Sequence, residues 1–192
     1  MTMSDVTPTI LPLPPGMPES DWQAWFETVR PELLSAGFEE EMGLVVDRLN
    51  RMLVFGIPDA AVGCCALLQP GTEPCLVTVY ASPEPAGQAQ EMPRALVDIP
   101  AAHVFNSVDD TVDVKGFTLY RASRVVAPAD EPESVVLRGA IATTRGIAGL
   151  QRDVCLYFVG GEIDHLATVF WPLGVFLAGE LAEQLILVGE GR

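Results

Sequence analysis

His165 stands in EIDHLATVFW, residues 162–171, directly after Asp164. A carboxylate that orients an imidazole makes a general base near neutral pH, so this dipeptide is the first place to look for chemistry. The two side chains must share a face to do it. On a strand, neighbouring side chains point to opposite faces, and Asp164 and His165 diverge. A two-residue turn at Gly160 and Gly161 predicts a tight hairpin between QRDVCLYFV and EIDHLATVFW, with Tyr157 opposite Asp164 and Leu156 opposite His165. Tyr157 and Asp164 are then the polar pair, and His165 reads as a structural residue. His103, in AAHVF, reads the same way.

Other reactive types are no better arranged. The cysteines stand at 64, 65, 75 and 155. Their spacing matches no zinc pattern and neither histidine has a cysteine close by, so buried free thiols are expected. Cys64 and Cys65 face opposite sides of any regular strand, although a bridge from one of them to Cys75 stays open if register allows. The glycines of FVGGE are not followed by the Lys and Ser/Thr of a phosphate loop. Ser123 and Ser134 lack the G-x-S-x-G turn that exposes a nucleophile. Asp109, Asp110 and Asp113 in NSVDDTVDV could attract a hard cation, but without an EF-hand pattern they read as solvated loop acids. The expectation is no catalytic set, no metal and no cofactor.

Binding is a different matter. Trp22, Trp25 and Phe26 make one broad apolar helix face, which either covers core or contacts a partner. Arg138, Tyr157 and His165, with Cys155, are the polar or reactive groups expected to line any pocket between sheet and helices.

The 11 Lys and Arg against 26 Asp and Glu give a formal net charge of −15. Such a chain repels a phosphate backbone, which argues against nucleic acid as a partner; the acidity itself reads first as a solvated surface and, as the sharper alternative, as a face that docks a basic protein. Hydrophobic types make up 49% of the residues and mean hydropathy is +0.30, so the chain is globular and apolar enough to leave some surface for a partner. The opening MTMSDVTPTILPLPPGMPES has no basic start followed by an apolar run. No stretch reads as a membrane span, and Glu180, Glu183 and Gln184 interrupt the nearest one, so the expected compartment is the cytoplasm.

The elements that must position these groups follow from periodicity. Residues 1–18 are proline-rich and read as an extended or disordered arm, followed by a single α+β domain over residues 19–192. Ser20 can cap a helix through DWQAWFETVRPELLSAG, with Pro31 as a kink and Gly37 as a stop. A second helix follows in FEEEMGLVVDRLNRMLVFG, with Gly56 and Pro58 as stop signals. AVGCCALLQ and CLVTVYAS read as strands joined at Pro70 and Gly71, and RALVDIPAAHVFNSV reads as a short helix. VDVKGFTLYRASRVV, SVVLRGAIATTR, QRDVCLYFVG and EIDHLATVFWP read as four more strands. GVFLAGELAEQLILVGE closes the chain as a helix with Leu177, Leu181, Leu185 and Val188 in a stripe. The fold class is therefore α+β, an antiparallel sheet of about six strands packed with two N-terminal helices and one C-terminal helix. Apolar strands such as CLVTVY and CLYFVG make an open edge a liability, so the arm or a second copy is expected to cover it. A homodimer is slightly favoured over a monomer.

The paired strands ending at CLVTVYAS, the segment 89–105, the meander from VDVKGFTLY to HLATVFW and the closing helix GVFLAGELAEQL give an order that resembles the PsbP-like α/β sandwiches over about residues 55–190. The resemblance implies a small non-catalytic accessory or adaptor protein. The alternative is a small-molecule-binding or enzymatic domain with a pocket between sheet and helices.

Overall fold

A computed structural model describes residues 9–13, 18–40, 42–55, 60–70, 74–82, 86–100, 103–127, 135–147, 149–160 and 165–179. Its centre is a seven-stranded antiparallel sheet. The strands are β1 (Thr9–Leu13), β2 (Gly63–Leu68), β3 (Cys75–Ala81), β4 (His103–Val114), β5 (Phe117–Ala127), β6 (Val136–Ile147) and β7 (Leu150–Gly160), in the order β1-β2-β3-β7-β6-β5-β4. The helices are α1 (Trp22–Ser35), α2 (Met42–Phe55), α3 (Met92–Val97) and α4 (His165–Leu177).

Side-chain alternation divides the sheet into two buried faces. On one, Cys64, Ala66 and Leu68 join Leu11 and Leu13 of β1 beneath Phe26, Leu33, Val45 and Leu49 of α1 and α2. Farther along the same face, Ala122, Ala140, Ala142 and Cys155 make a floor for Val97 of α3. Three alanines there let a helix of 6 residues lie close to the strands. On the opposite face Cys65, Val77, Val79, Ile141, Leu156 and Phe158 pack against Leu173, Phe176 and Leu177 of α4. Cys64 and Cys65 thus point apart, as strand alternation requires. β2 is buried along all of GCCALL because both of its faces are covered.

Three sequence expectations need correction. The sheet has seven strands instead of six, and the gain begins in the arm. TILPL forms β1, antiparallel to β2 from the Thr9 and Leu68 pair to the Leu13 and Cys64 pair. Its proline would demote it as a central strand, but an edge strand tolerates a missing amide. Second, VDVKGFTLY is a hairpin and not one strand. β4 and β5 meet at Lys115 (φ 51°) and Gly116 (φ 83°), and β4 reaches back to His103 through residues read as helix. Two successive positive φ values are what a type I′ turn needs to match strand twist. Gly116→Ala is expected to cost about 1 kcal/mol, whereas Lys115→Asn should be neutral or slightly stabilising; urea denaturation of both variants checks this.

Third, residues 165–177 are helical, so no β strand continues through HLATVFW. Both sides of β7 are already taken, by β3 (Tyr157 opposite Thr78) and by β6 (Tyr157 opposite Ala140). The expected Tyr157 and Asp164 register is therefore replaced; Gly161–Asp164 themselves lie outside the described residues. So do Leu181, Leu185 and Val188 of the expected C-terminal stripe, while Leu177 is the last residue of α4 and fully buried.

The N-terminal helices start and stop by different devices. A single 3₁₀ turn, Glu19–Asp21, precedes α1, and the Ser20 hydroxyl is bonded to Asp21 Oδ1 (2.9 Å) instead of capping the helix. Pro31 is accommodated inside α1, which runs on to Ser35. Gly37, at φ 92°, follows its end, and Phe38 N–H donates back to Leu33 O (3.1 Å).

Candidate functional site

The most elaborate polar construction joins α3 to the far edge of the sheet. Arg124 of β5, only 6% exposed, donates through Nε to Asp98 Oδ1 (2.8 Å), just past α3. Its Nη1 and Nη2 reach Asp109 Oδ1 (3.0 Å) and Oδ2 (3.2 Å) of β4, a two-pronged guanidinium to carboxylate pair. Arg94 of α3 adds a third bond to Asp109 Oδ2 (3.1 Å). Burial pushes the Asp109 carboxyl up, but the hydrogen bond and charge of Arg124, joined by Arg94, outweigh it and hold the group below its ordinary value. On the other face of β4, Asp110 forms a two-pronged pair with Arg121. Asp109 and Asp110 are thus strand residues held by arginines, not the solvated loop acids expected. Among the described residues, no group of three or more His, Cys, Asp or Glu is placed to hold a metal ion.

Between the flank of α3 and the β4–β5 ladder lies a groove of about 210 Å³, lined by Gln90, Arg94, Asp109, Thr111 and Tyr120 among others. It is smaller than most small-molecule pockets.

A second polar group lies on the same sheet face. The Arg138 guanidinium stacks over the Tyr157 ring at 5.2 Å and donates through Nη2 to Leu96 O (2.7 Å), capping the last turn of α3. Tyr80 meets Tyr157 edge to face at 6.5 Å. Burial raises the Tyr157 hydroxyl above its ordinary pKa, and Arg138 only partly offsets this. Cys155 lies on this face too, fully buried, and burial drives its thiol far above the ordinary range. Sequence reasoning therefore named three groups, Arg138, Tyr157 and Cys155, that the fold does bring to one face. His165 is the first residue of α4.

The four cysteines form no disulfide, and burial pushes the Cys75 thiol up to about 12. A thiol of this kind supplies almost no thiolate at neutral pH. In α1, Phe26 is buried, Trp25 is half-buried against the helix-pair core and edge-on to Phe26 at 5.5 Å, and Trp22 is half-buried.

Sequence reasoning missed Asp153 of β7, which is fully buried. Its Oδ2 accepts from the backbone amides of Gly87 (2.7 Å) and Gln88 (2.5 Å), and its Oδ1 accepts from the Thr144 hydroxyl (2.6 Å). Its own amide donates to Ser82 Oγ (3.2 Å) and its carbonyl accepts from Ser82 N–H (2.9 Å). This carboxylate fastens the connection between β3 and α3 to the sheet. The only sequence signal was an acid beside a strongly apolar strand.

The two outer edges of the sheet differ. β1 is short, 5 residues, and contains Pro12. β4 is 12 residues long, roughly 40 Å at the usual strand rise, with no proline and with a pairing irregularity between Val104 and Asn106. Residues 104–111 are exposed throughout, including Val104 (48%), Phe105 (56%) and Val108 (46%).

No described helix is long and apolar enough to cross a membrane. The chain matches no family model, no curated protein and no solved structure.

Proposed function

We propose that this chain is a non-catalytic protein-interaction module, an accessory or adaptor domain, that docks a protein partner along the open edge of β4. The observation that carries the reading is β4 itself, which among the described strands pairs with β5 alone and carries exposed Val104 and Val108. The outward amides and carbonyls of an edge strand give affinity for an extended segment, and exposed apolar side chains add contact area.

The chemistry available to an enzyme supports the same conclusion. The Asp109, Asp110 and Asp153 carboxylates are committed to structural partners. The Cys65, Cys75 and Cys155 thiols have raised pKa values because they are buried. The alternative, a small-molecule-binding or enzymatic domain, has in its favour the groove beside α3 and the shared face of Arg138 and Tyr157. The resemblance to PsbP-like sandwiches, which loses its last meander strand at HLATVFW, implies an accessory role, and thiols outside any disulfide agree with a reducing cytoplasm.

Photocrosslinking tests the docking edge. A benzophenone side chain at Phe105 should yield one discrete protein adduct in cells, while the same group at exposed Leu150, on β7, should yield none. Adducts of equal yield from both positions, or none from Phe105, would sink the proposal.

A further inference from the structure

We infer that the segment docking on β4 is an extended peptide in which basic and apolar residues alternate, the basic side chains lying on the α3 face of the sheet and the apolar ones on the α4 face. This deepens the docking role proposed for β4 and rests on it.

The pattern follows from register. Directly opposed residues of antiparallel strands share a face. Asp109 is opposite Ala122, which belongs to the core beneath α3, so Ser107, Asp109, Thr111 and Asp113 face the α3 side. Val108, Asp110, Val112 and Val114 face the other side, where Val112 and Val114 join the core under α4. An added strand would continue both rows. On the α3 face it would meet two carboxylates four residues apart.

These carboxylates differ. Asp109 is held by Arg124 and Arg94, and the Arg94 side chain is 63% exposed, so an incoming cation can replace it without opening the core. Asp113 accepts a hydrogen bond from the Thr118 hydroxyl (3.0 Å), and no ion pair to it is formed among the described residues. Its charge is open to a lysine or arginine beside it. On the α4 face Asp110 is neutralised by Arg121, leaving Val108 and Val112 to meet apolar side chains. The net charge of −15 adds long-range attraction for a basic segment and opposes approach of a second copy.

The test uses the full chain and four labelled ten-residue peptides: alternating Lys and Val, alternating Glu and Val, alternating Thr and Val, and the Lys–Val peptide with two prolines. Fluorescence anisotropy reads affinity and hydrogen exchange reads protection of the amides in residues 104–113. The Lys–Val peptide should bind at least tenfold more tightly than the other three and slow exchange in β4. Asp113→Lys should weaken it at least fivefold, and added salt should weaken it further. Equal protection of β4 by the Thr–Val peptide overturns the basic chemistry while leaving the docking edge in place. Equal binding by the proline-bearing peptide shows adhesion by charge alone and overturns strand addition. Protection of β4 that grows with protein concentration, without peptide, assigns the edge to a second copy and overturns the inference. Failure of every peptide to protect β4 overturns it as well, and the adduct from position 105 then judges the broader docking role separately.

Discussion

Asp153→Ala is expected to destabilise the protein by about 3–5 kcal/mol, because it strands several buried donors at once. The Thr144 hydroxyl and the amides of Gly87 and Gln88 all bond to this one carboxylate, at 2.5–2.7 Å, in a site closed to water. For a domain of this size the loss corresponds to a fall in Tm of roughly 10 °C. Asp153→Asn should cost about half as much, since the amide oxygen can still accept while its NH₂ confronts donors.

The same site sets an acid limit. Burial alone would raise the Asp153 pKa, but the bonds from Thr144 and from the amides of Gln88, Gly87 and Ala89 outweigh it and depress the folded value below 3.8. A carboxylate depressed on folding contributes stability that is fully present above its unfolded pKa, near 4. That stability is lost as pH falls below about 4 toward the folded value. Asp109 has the same sign. Urea midpoints at pH 6 and pH 3 should therefore converge in Asp153→Asn relative to the wild type. An unchanged pH dependence would show that Asp153 is not the group responsible.

Gly139→Ala should be damaging for a steric reason, by about 3 kcal/mol. A Cβ on Gly139 would fall 2.2 Å from Phe158 Cζ, with two more ring carbons at 2.6 and 2.8 Å. Gly139 and Phe158 are directly opposed on β6 and β7, so the phenyl ring covers the space where a side chain would stand. The ring has little room to move, being 2% exposed and edge-on to Phe170 at 5.4 Å. Phe158→Leu in the alanine background should recover part of the loss. A double-mutant cycle by urea denaturation should give a coupling of about 1–2 kcal/mol, whereas strictly additive effects would exclude the clash as the cause.

Much of the architecture was legible in local patterns. GCCALL and CLVTVYA carry continuous apolar runs bounded by turn residues, as strands covered on both faces must. Helices α1 and α2 announced themselves by apolar residues three and four apart, with Gly37 ending the first. The β4 to β5 hairpin had a local signal in Lys115 and Gly116, but glycine preceded by lysine is a weaker mark than glycine preceded by asparagine. β4 alternates only over its second half, where Asp110 breaks the row of Val108, Val112 and Val114, and its exposed residues 104–107 have no period that separates strand from helix.

For the candidate site, residue type alone pointed to Arg138, Tyr157 and Cys155, and alternation along QRDVCLYFV put Cys155 and Tyr157 on one face. Arg124 and Asp153 were illegible because their partners are distant. Asp98 is 26 residues from Arg124, and Gly87 is 66 from Asp153.

The α+β class, the antiparallel pairing favoured by short connections, the opposed faces of Cys64 and Cys65, and the net charge of −15 were all readable from the amino-acid sequence. Each is a property of composition or of a period within one segment. Tertiary structure decided that TILPL is a strand, since only the unpaired edge of β2 makes a proline-bearing segment worth ordering there. It also decided that His165 begins a helix. An apolar run such as HLATVFW can be buried as strand or as helix, and its own spacing does not choose. With β3 and β6 on its two sides, β7 has no edge left to offer a strand, and the run instead enters α4, whose Phe170, Leu173, Phe176 and Leu177 pack on the sheet.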